Sequence, residues 1–497
     1  MCHISPLQVA RENADKTGVT EMDSRTKRLI LFAASIGAFL NPLIGSMIIL
    51  AMPEVGVAFE VSARDLGWLS TIFILANAIF LVPASRLSDL IGYKRSYLLG
   101  AAIVAVACGL SVFAPTYTIL LLLRVIAACG TSFLMITGLA ILSYVYPPNE
   151  RGAAFGINTA MVYIGASAGP ILGGFLTGIF GWRAVFLVMV PLAVATAVPM
   201  WQFFRDEIKI PSDSPFDVRG TILYAVAMFC TMYGLSTLPD LLSAVLTVIG
   251  IILMAAFVWY ELRIPSPVLH VKLFFTNQRF ARSSYAALLN YGCTYGSVFF
   301  VSLYLQSVGQ LTSAEAGMIL FFQPLIQAIM TPIAGRFSDR IDPRYIVTIG
   351  MILSGIGVLL LAGLDTGTDL HYIAVTQVFI GLGSALFSAP NTNAIMGSVP
   401  AEEYSTASGI VAVMRQAGMI ISMAVCMSAI SVYVGGTDML GPEMYQEFLQ
   451  ALKVSMIFCA VLAFVGVLFS WFRGKGTVSD ASQGFGMCST AYSVPNP

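Results

Sequence analysis

Apolar runs of about 20 residues, the length a helix needs to cross a bilayer core, recur along the whole chain. They fall near 28–50, 65–85, 96–114, 118–143, 152–177, 181–203, 218–237, 241–261, 279–305, 313–334, 344–364, 370–396, 404–433 and 448–472. Polar and basic residues collect in the short breaks between them. The pattern predicts an all-α polytopic membrane protein with fourteen transmembrane helices.

The pattern also repeats. VSARDLGWLSTIFILANAIFLVPASRLSD (61–89) aligns without gaps on LTSAEAGMILFFQPLIQAIMTPIAGRFSD (311–339). A weaker echo pairs Gly156-Ile157 and Gly165 with Gly409-Ile410 and Gly418, at the same spacing of nine. Two related six-helix halves in parallel repeat are expected, over 28–203 and 263–472, with spans 7 and 8 inserted between them in 204–262. Residues 1–27 and 473–497 read as tails. Transporters of two six-helix halves place substrate between the halves, near the bilayer midplane.

Composition agrees with this picture. The chain is 57% hydrophobic and 10% charged, whereas soluble domains carry about 25% charged residues. The 26 basic and 26 acidic residues balance, so nothing points to nucleic acid. The cysteines (Cys2, Cys108, Cys129, Cys230, Cys293, Cys426, Cys459, Cys488) form no CxxC pair, and the histidines are isolated. They suggest helix packing, not disulfides, a metal or a cofactor. No nucleophile–base pair suggests an enzyme. The polar start implies no cleavable signal peptide. With the N-terminus cytoplasmic, 21 Lys and Arg fall on the cytoplasmic side and three outside. The bias places both termini in the cytoplasm of a multi-pass cell-membrane protein.

Three features carry candidate chemistry. The first is Gly156–Gly174, where Gly165, Gly169 and Gly173 recur every four residues on one helix face and Pro170 marks a weak point. Such a face lets another backbone approach closely. The second is the pair of loops after spans 2 and 10, which carry Ser85, Asp89, Gly92, Lys94 and Arg95, and Gly335, Asp339, Arg340 and Arg344. A carboxylate there can hold a helix N-terminus or pair with a cation. The third is Arg124, about six residues into an apolar span. Its structural reading is an arginine that reaches backbone carbonyls; its functional reading is a charge relay. Polar and aromatic residues within spans sketch a wide, mostly apolar cavity: Asn41, Ser46, Asn77, Asn290, Tyr291, Tyr295, Gln323, Gln327, Asn391, Asn393, Arg415 and Gln416. Each alone also suits a helix–helix hydrogen bond. The lone Arg415 would favour an anionic group.

These motifs resemble the signatures of the major facilitator superfamily. The loops resemble G-x-x-x-D-R-x-G-R-K/R, with Ser85, Leu90 and Tyr93 departing from it in the first copy. The segment at Arg124 resembles L-x-x-x-R-x-x-Q-G-x-G, with Ala127 and Ala128 in place of Gln and Gly. Gly156, Gly165, Gly169, Pro170, Gly173 and Gly174 match every fixed position of the antiporter signature G-x8-G-x3-G-P-x2-G-G. Together with fourteen spans, this resembles the drug:proton antiporters of the multidrug efflux type. The resemblance implies a monomeric exporter of amphipathic organic compounds that works by alternating access with the proton as coupling ion. It gives Asp89 and Asp339 a gating role and ties Arg124 to proton transfer. Asp89 is the candidate companion of Arg124 in that relay, and the glycine face of span 5 is expected to seal against a helix of the other half. Span 1 departs from the family: Asn41 stands at its acid position, and no span carries a carboxylate near its middle. Glu54, Asp65, Asp240 and Glu315 fall at outer ends; Asp89, Asp217, Glu261 and Asp339 fall at inner ends. That favours the alternative of a transporter of one metabolite without proton coupling; a membrane sensor of the same fold is a second alternative, with no signalling domain to support it.

Overall fold

The computed structural model describes residues 22–473, apart from 62, 205–206, 209–215, 237–240, 265–266, 270, 312 and 435–441. Cys2, Cys488, Asp240 and most of both tails lie outside the described residues. Fourteen described helices are long and apolar enough to cross a membrane, one for each predicted run. They are α1 Ser24–Phe59, α2 Ala63–Ile91, α3 Tyr93–Ser111, α4 Tyr117–Val145, α5 Pro148–Phe180, α6 Arg183–Leu187 continued as Met189–Phe203, α7 Val218–Ser236, α8 Leu241–Glu261, α9 Gln278–Leu303, α10 Ser313–Leu320 continued as Phe322–Ser338, α11 Pro343–Leu361, α12 Leu370–Met396, α13 Tyr404–Tyr433 and α14 Tyr445–Trp471.

Local chemistry explains the irregularities. The breaks in α6 and α10, at Val188 and Phe321, each lie three residues before a proline, Pro191 and Pro324. Proline has no N–H to give to the carbonyl four residues back, so the helix loosens there. Pro170, by contrast, does not interrupt α5. Gly92, between α2 and α3, has φ 107°, where a side chain is strained; a Cβ there would also meet Glu207 Oε1.

The first six and the last six helices pack in the same order. α1 packs on α5 and α6, α3 on α4 and α6, and α2 on α4; α9 packs on α13 and α14, α11 on α12 and α14, and α10 on α12. Residues separated by about 250 positions therefore occupy equivalent places. The pair α7–α8 sits at the edge. Tyr224 of α7 donates to the Ala78 carbonyl of α2 at 2.9 Å, Tyr233 of α7 stacks on Trp68 of α2, and α7 also touches α13. α8 turns Leu242, Val248, Ile251 and Ile252 outward, each more than half exposed. Such a face suits lipid.

Candidate functional site

The two sets of six meet along α2, α5, α10 and α13. The loops after α2 and α10 lie at one end of the bundle, here called the basic face. At that face the repeat produces two seals of different chemistry. In one, Asp339 closes the N-terminus of α5: its Oδ1 accepts from Gly152 N at 2.7 Å and its Oδ2 from Ala153 N at 2.9 Å. Both donors lie little more than one turn into α5, where the helix dipole still favours a carboxylate. Burial raises the Asp339 carboxyl from its ordinary value, although the two N–H donors pull it down. The helices touch backbone to backbone here. A Cβ on Gly335 would meet the Gly152 carbonyl at 2.2 Å, and one on Gly156 would meet Pro332 Cα at 2.8 Å.

In the other seal a tyrosine intervenes. Tyr93, which replaces a family arginine, donates its hydroxyl to Asp89 Oδ1 at 3.3 Å and accepts from Ser405 N, at the start of α13, at 3.3 Å. Ser85 stands where the other copy has Gly335, and its hydroxyl lies 3.1 Å from that of Ser405. A hydroxyl pair thus replaces a glycine contact. Arg151 ties the two seals together, donating to Tyr404 Oη at 2.9 Å and to the Ser143 carbonyl at 2.6 Å. Of the remaining loop residues, Arg95 pairs with Glu207 at 3.6 Å, and Arg344 lies over Tyr345 and Trp471. Lys94 is half-buried and Arg340 exposed.

The seal runs inward to mid-depth. Ser408 of α13 donates to the Ile136 carbonyl of α4 at 3.0 Å, and Ala412 packs with Leu81, Ala84, Phe133 and Ile136. Tyr163 of α5 bonds Ser388 of α12 at 2.5 Å and lies beside Tyr291 of α9. Arg415 of α13 reaches the Met135 sulfur of α4 at 3.9 Å, and Asn41 of α1 donates to the same sulfur at 2.7 Å. None of these described contacts passes Tyr163 on α5 or Arg415 on α13 toward the opposite face. There α5 and α10 diverge. Nothing lies within 4 Å of a Cβ placed on Gly178 or Gly317, and Ile171 and Phe175 are 65% and 60% exposed.

Several expectations change. Gly165, Gly169 and Gly173 face α1 of their own six-helix set, not the other set. Built Cβ atoms would meet the Phe39 carbonyl at 2.5 Å, Ser46 Oγ at 1.7 Å and the Met47 carbonyl at 2.4 Å. Only Gly156 of the four faces α10. Asp89 and Arg124 do not come together: Arg124 donates to the Leu69 carbonyl of α2 at 3.0 Å, while Asp89 is twenty residues further along that helix, about 30 Å away. Arg124 also donates to the Ile44 carbonyl at 3.1 Å and lies over Phe73. It follows the structural reading, fastening α1, α2 and α4. Asn391 and Asn393 belong to the basic face, since α12 ends there. Asn391 accepts from Arg473 at 3.2 Å and Asn393 donates to Ser338 at 3.0 Å.

The other cavity candidates divide. Asn77 is buried and donates to Thr131, Ser132 and Asn41, a helix–helix network. Ser46 donates within α1, to the Pro42 carbonyl, beneath Gly169. Gln323 and Gln327 are buried, Gln323 against Gly381 of α12. Asn290 is 1% exposed with no partner for its amide nitrogen. Tyr295 is 41% exposed, and Tyr291, Arg415 and Gln416 are half-buried. The structure thus brings together Asn41, Tyr291 and Arg415, and adds Tyr163, Met135 and Ser388. The sequence carried no signal for those three, because a lone tyrosine, methionine or serine in an apolar helix looks like packing.

A sequence model described as Major Facilitator Superfamily matches residues 34–312 and again 284–486. The riboflavin transporter RibZ of Clostridioides difficile (strain 630) is 27% identical over 80% of this chain and 87% of its own length. The multidrug resistance protein Stp of Mycobacterium tuberculosis (strain ATCC 25618 / H37Rv) is 30% identical over 83% of this chain and 78% of its own. A tetracenomycin C resistance and export protein of Streptomyces glaucescens is 26% identical over 80% and 74%. Among solved structures, the proton:xylose symporter XylE superposes with a TM-score of 0.64, covering 91% of this chain and 97% of XylE, at 13% identity. At that identity the likeness is one of fold.

Proposed function

We propose that this chain, which belongs to the Major Facilitator Superfamily, is an exporter of amphipathic organic compounds that works as a monomer by alternating access. It is a multi-pass membrane transporter. The basic face is cytoplasmic and carries both termini, and the described state faces outward, sealed inside by α2, α5, α10 and α13. Asp89 and Asp339 gate the inner side. Substrate meets the transporter at mid-depth, around Asn41, Tyr163, Tyr291 and Arg415.

One observation carries the outward direction: α5 matches the antiporter signature at every fixed position and uses Gly165, Gly169 and Gly173 to lie directly on α1. Relatives named for resistance and export support it. Proton antiport, which the same signature implies, needs a group that can carry a proton through the membrane. The described spans hold carboxylates only near their ends (Asp89, Glu150, Glu261, Glu315, Glu447). That observation, with a riboflavin transporter among the relatives, favours a second reading: transport of one metabolite without proton coupling.

A compound-susceptibility screen on cells with and without the protein separates the two. The exporter reading expects tolerance to several unrelated amphipathic compounds to rise at least about four-fold, the size of an effect near 1 kcal/mol. Protection against a single compound supports the second reading, and no protection contradicts both.

A further inference from the structure

Arg415 is a membrane cation that the fold leaves without a counter-charge. It lies eleven residues into α13, about 17 Å along that helix and so near mid-depth. Its described hydrogen bond is one long contact, 3.9 Å, to a thioether, a weak acceptor for a guanidinium with five donors. Three buried arginines are better held. Arg124 donates to two backbone carbonyls, Arg151 to two carbonyls and a hydroxyl, and Arg473 to Asn391 and Ser283. Among the described residues no carboxylate stands at the depth of Arg415. The groups beside it are the Met135 sulfur, shared with the Asn41 amide, and Tyr163 on α5, which in turn neighbours Tyr291 on α9. An unpaired membrane cation is expensive and points to a functional partner. Here the described neighbours are neutral, so the site has room for a negative charge that a ligand would supply.

We propose that the substrate is an amphipathic organic anion whose acidic group docks on Arg415 beside Tyr163 and Tyr291, and that its export is electrogenic, driven by the membrane potential and not by proton exchange. This rests on the exporter reading above. The guanidinium supplies planar, paired donors suited to a carboxylate or sulfonate, and the two tyrosines add hydroxyl donors and aromatic surface for the apolar part. An inside-negative potential favours outward movement of an anion, so no proton carrier is required. Each cycle moves the anion's charge outward, with no bond made or broken.

The test uses the full chain in liposomes loaded with carboxyfluorescein or, in parallel, ethidium, at equal pH on both sides, with the potential set by a potassium gradient and valinomycin. The potential fixes the direction, so mixed insertion does not matter. The expected result is carboxyfluorescein efflux that rises several-fold when the interior is made negative and reverses with the potential, with ethidium carried at least ten-fold more slowly. Arg415→Gln lowers the anion rate about ten- to hundred-fold, the size of a lost charge-assisted hydrogen bond, and Arg415→Lys retains the preference for the anion. Carboxyfluorescein efflux unchanged in Arg415→Gln, or ethidium moved by a pH gradient while carboxyfluorescein stays, overturns the inference and leaves the exporter reading standing. Neither dye moving under a potential or a pH gradient overturns the exporter reading itself.

Discussion

Gly169→Leu abolishes transport while the protein still inserts and accumulates in the membrane. A Cβ at this position would sit 1.7 Å from Ser46 Oγ, 2.7 Å from Ser46 Cβ and 3.1 Å from Met47 N. Leucine adds three further carbons, and α1 and α5 have to separate. The contact cannot yield locally, because Gly165 and Gly173 press on the backbone of the same helix, at the Phe39 and Met47 carbonyls. Overpacking of this kind costs about 1–3 kcal/mol or more. Insertion is spared because leucine is more apolar than glycine. A milder pair isolates the cause: Gly169→Ala slows transport, and adding Ser46→Gly, which removes the two nearest atoms, restores it. Efflux measured per unit of membrane protein reads both, and full activity in Gly169→Leu contradicts the close-contact account.

The second large effect is expected at Asp339. Its carboxylate accepts from Gly152 N at 2.7 Å and from Ala153 N at 2.9 Å across the seal. Asp339→Ala removes both of these hydrogen bonds across the seal. Allowing for partial exposure, the loss is about 2 kcal/mol, or about thirty-fold in the ratio of sealed to unsealed forms. Thr331, fully buried behind this seal, is the reporter. In a Thr331→Cys background, Asp339→Ala should raise labelling by an impermeant maleimide applied from the basic face by at least ten-fold. Asp339→Asn should fall between, since an amide keeps one acceptor oxygen. Unchanged labelling in Asp339→Ala would mean the seal does not depend on this carboxylate.

The fourteen helices could be read from the sequence because lipid imposes them: a crossing needs about 20 apolar residues and internally satisfied backbone. The relation of α2 to α10 was legible for a similar reason, since Asp89 and Asp339 end matching helices. What each carboxylate touches was not legible. A direct cap in one seal and a link through Tyr93 in the other depend on Pro343 standing where the first copy has Tyr93. The glycines of α5 announced a close neighbour without saying which, because a missing side chain carries no mark of its partner. Asn391 and Asn393 looked like cavity residues because an amide in an apolar run has no depth of its own; position along α12 decides it, and that end meets Arg473 and Ser338. Arg415 was visible as an unpaired cation from the sequence alone. Its company, Tyr163 and Met135, comes from helices far apart in the chain.

The central claim is that two six-helix units rock about a site at mid-depth, opening and closing the basic face in turn. Cross-linking that face tests it most directly. The hydroxyls of Ser85 and Ser405 lie 3.1 Å apart across the seal, so Ser85→Cys with Ser405→Cys places two thiols within bonding reach. Under oxidation, carboxyfluorescein efflux from liposomes holding the double variant should stop, and a reductant should restore it to the wild-type rate. Efflux that continues undiminished with the cross-link formed would contradict alternating access through this interface.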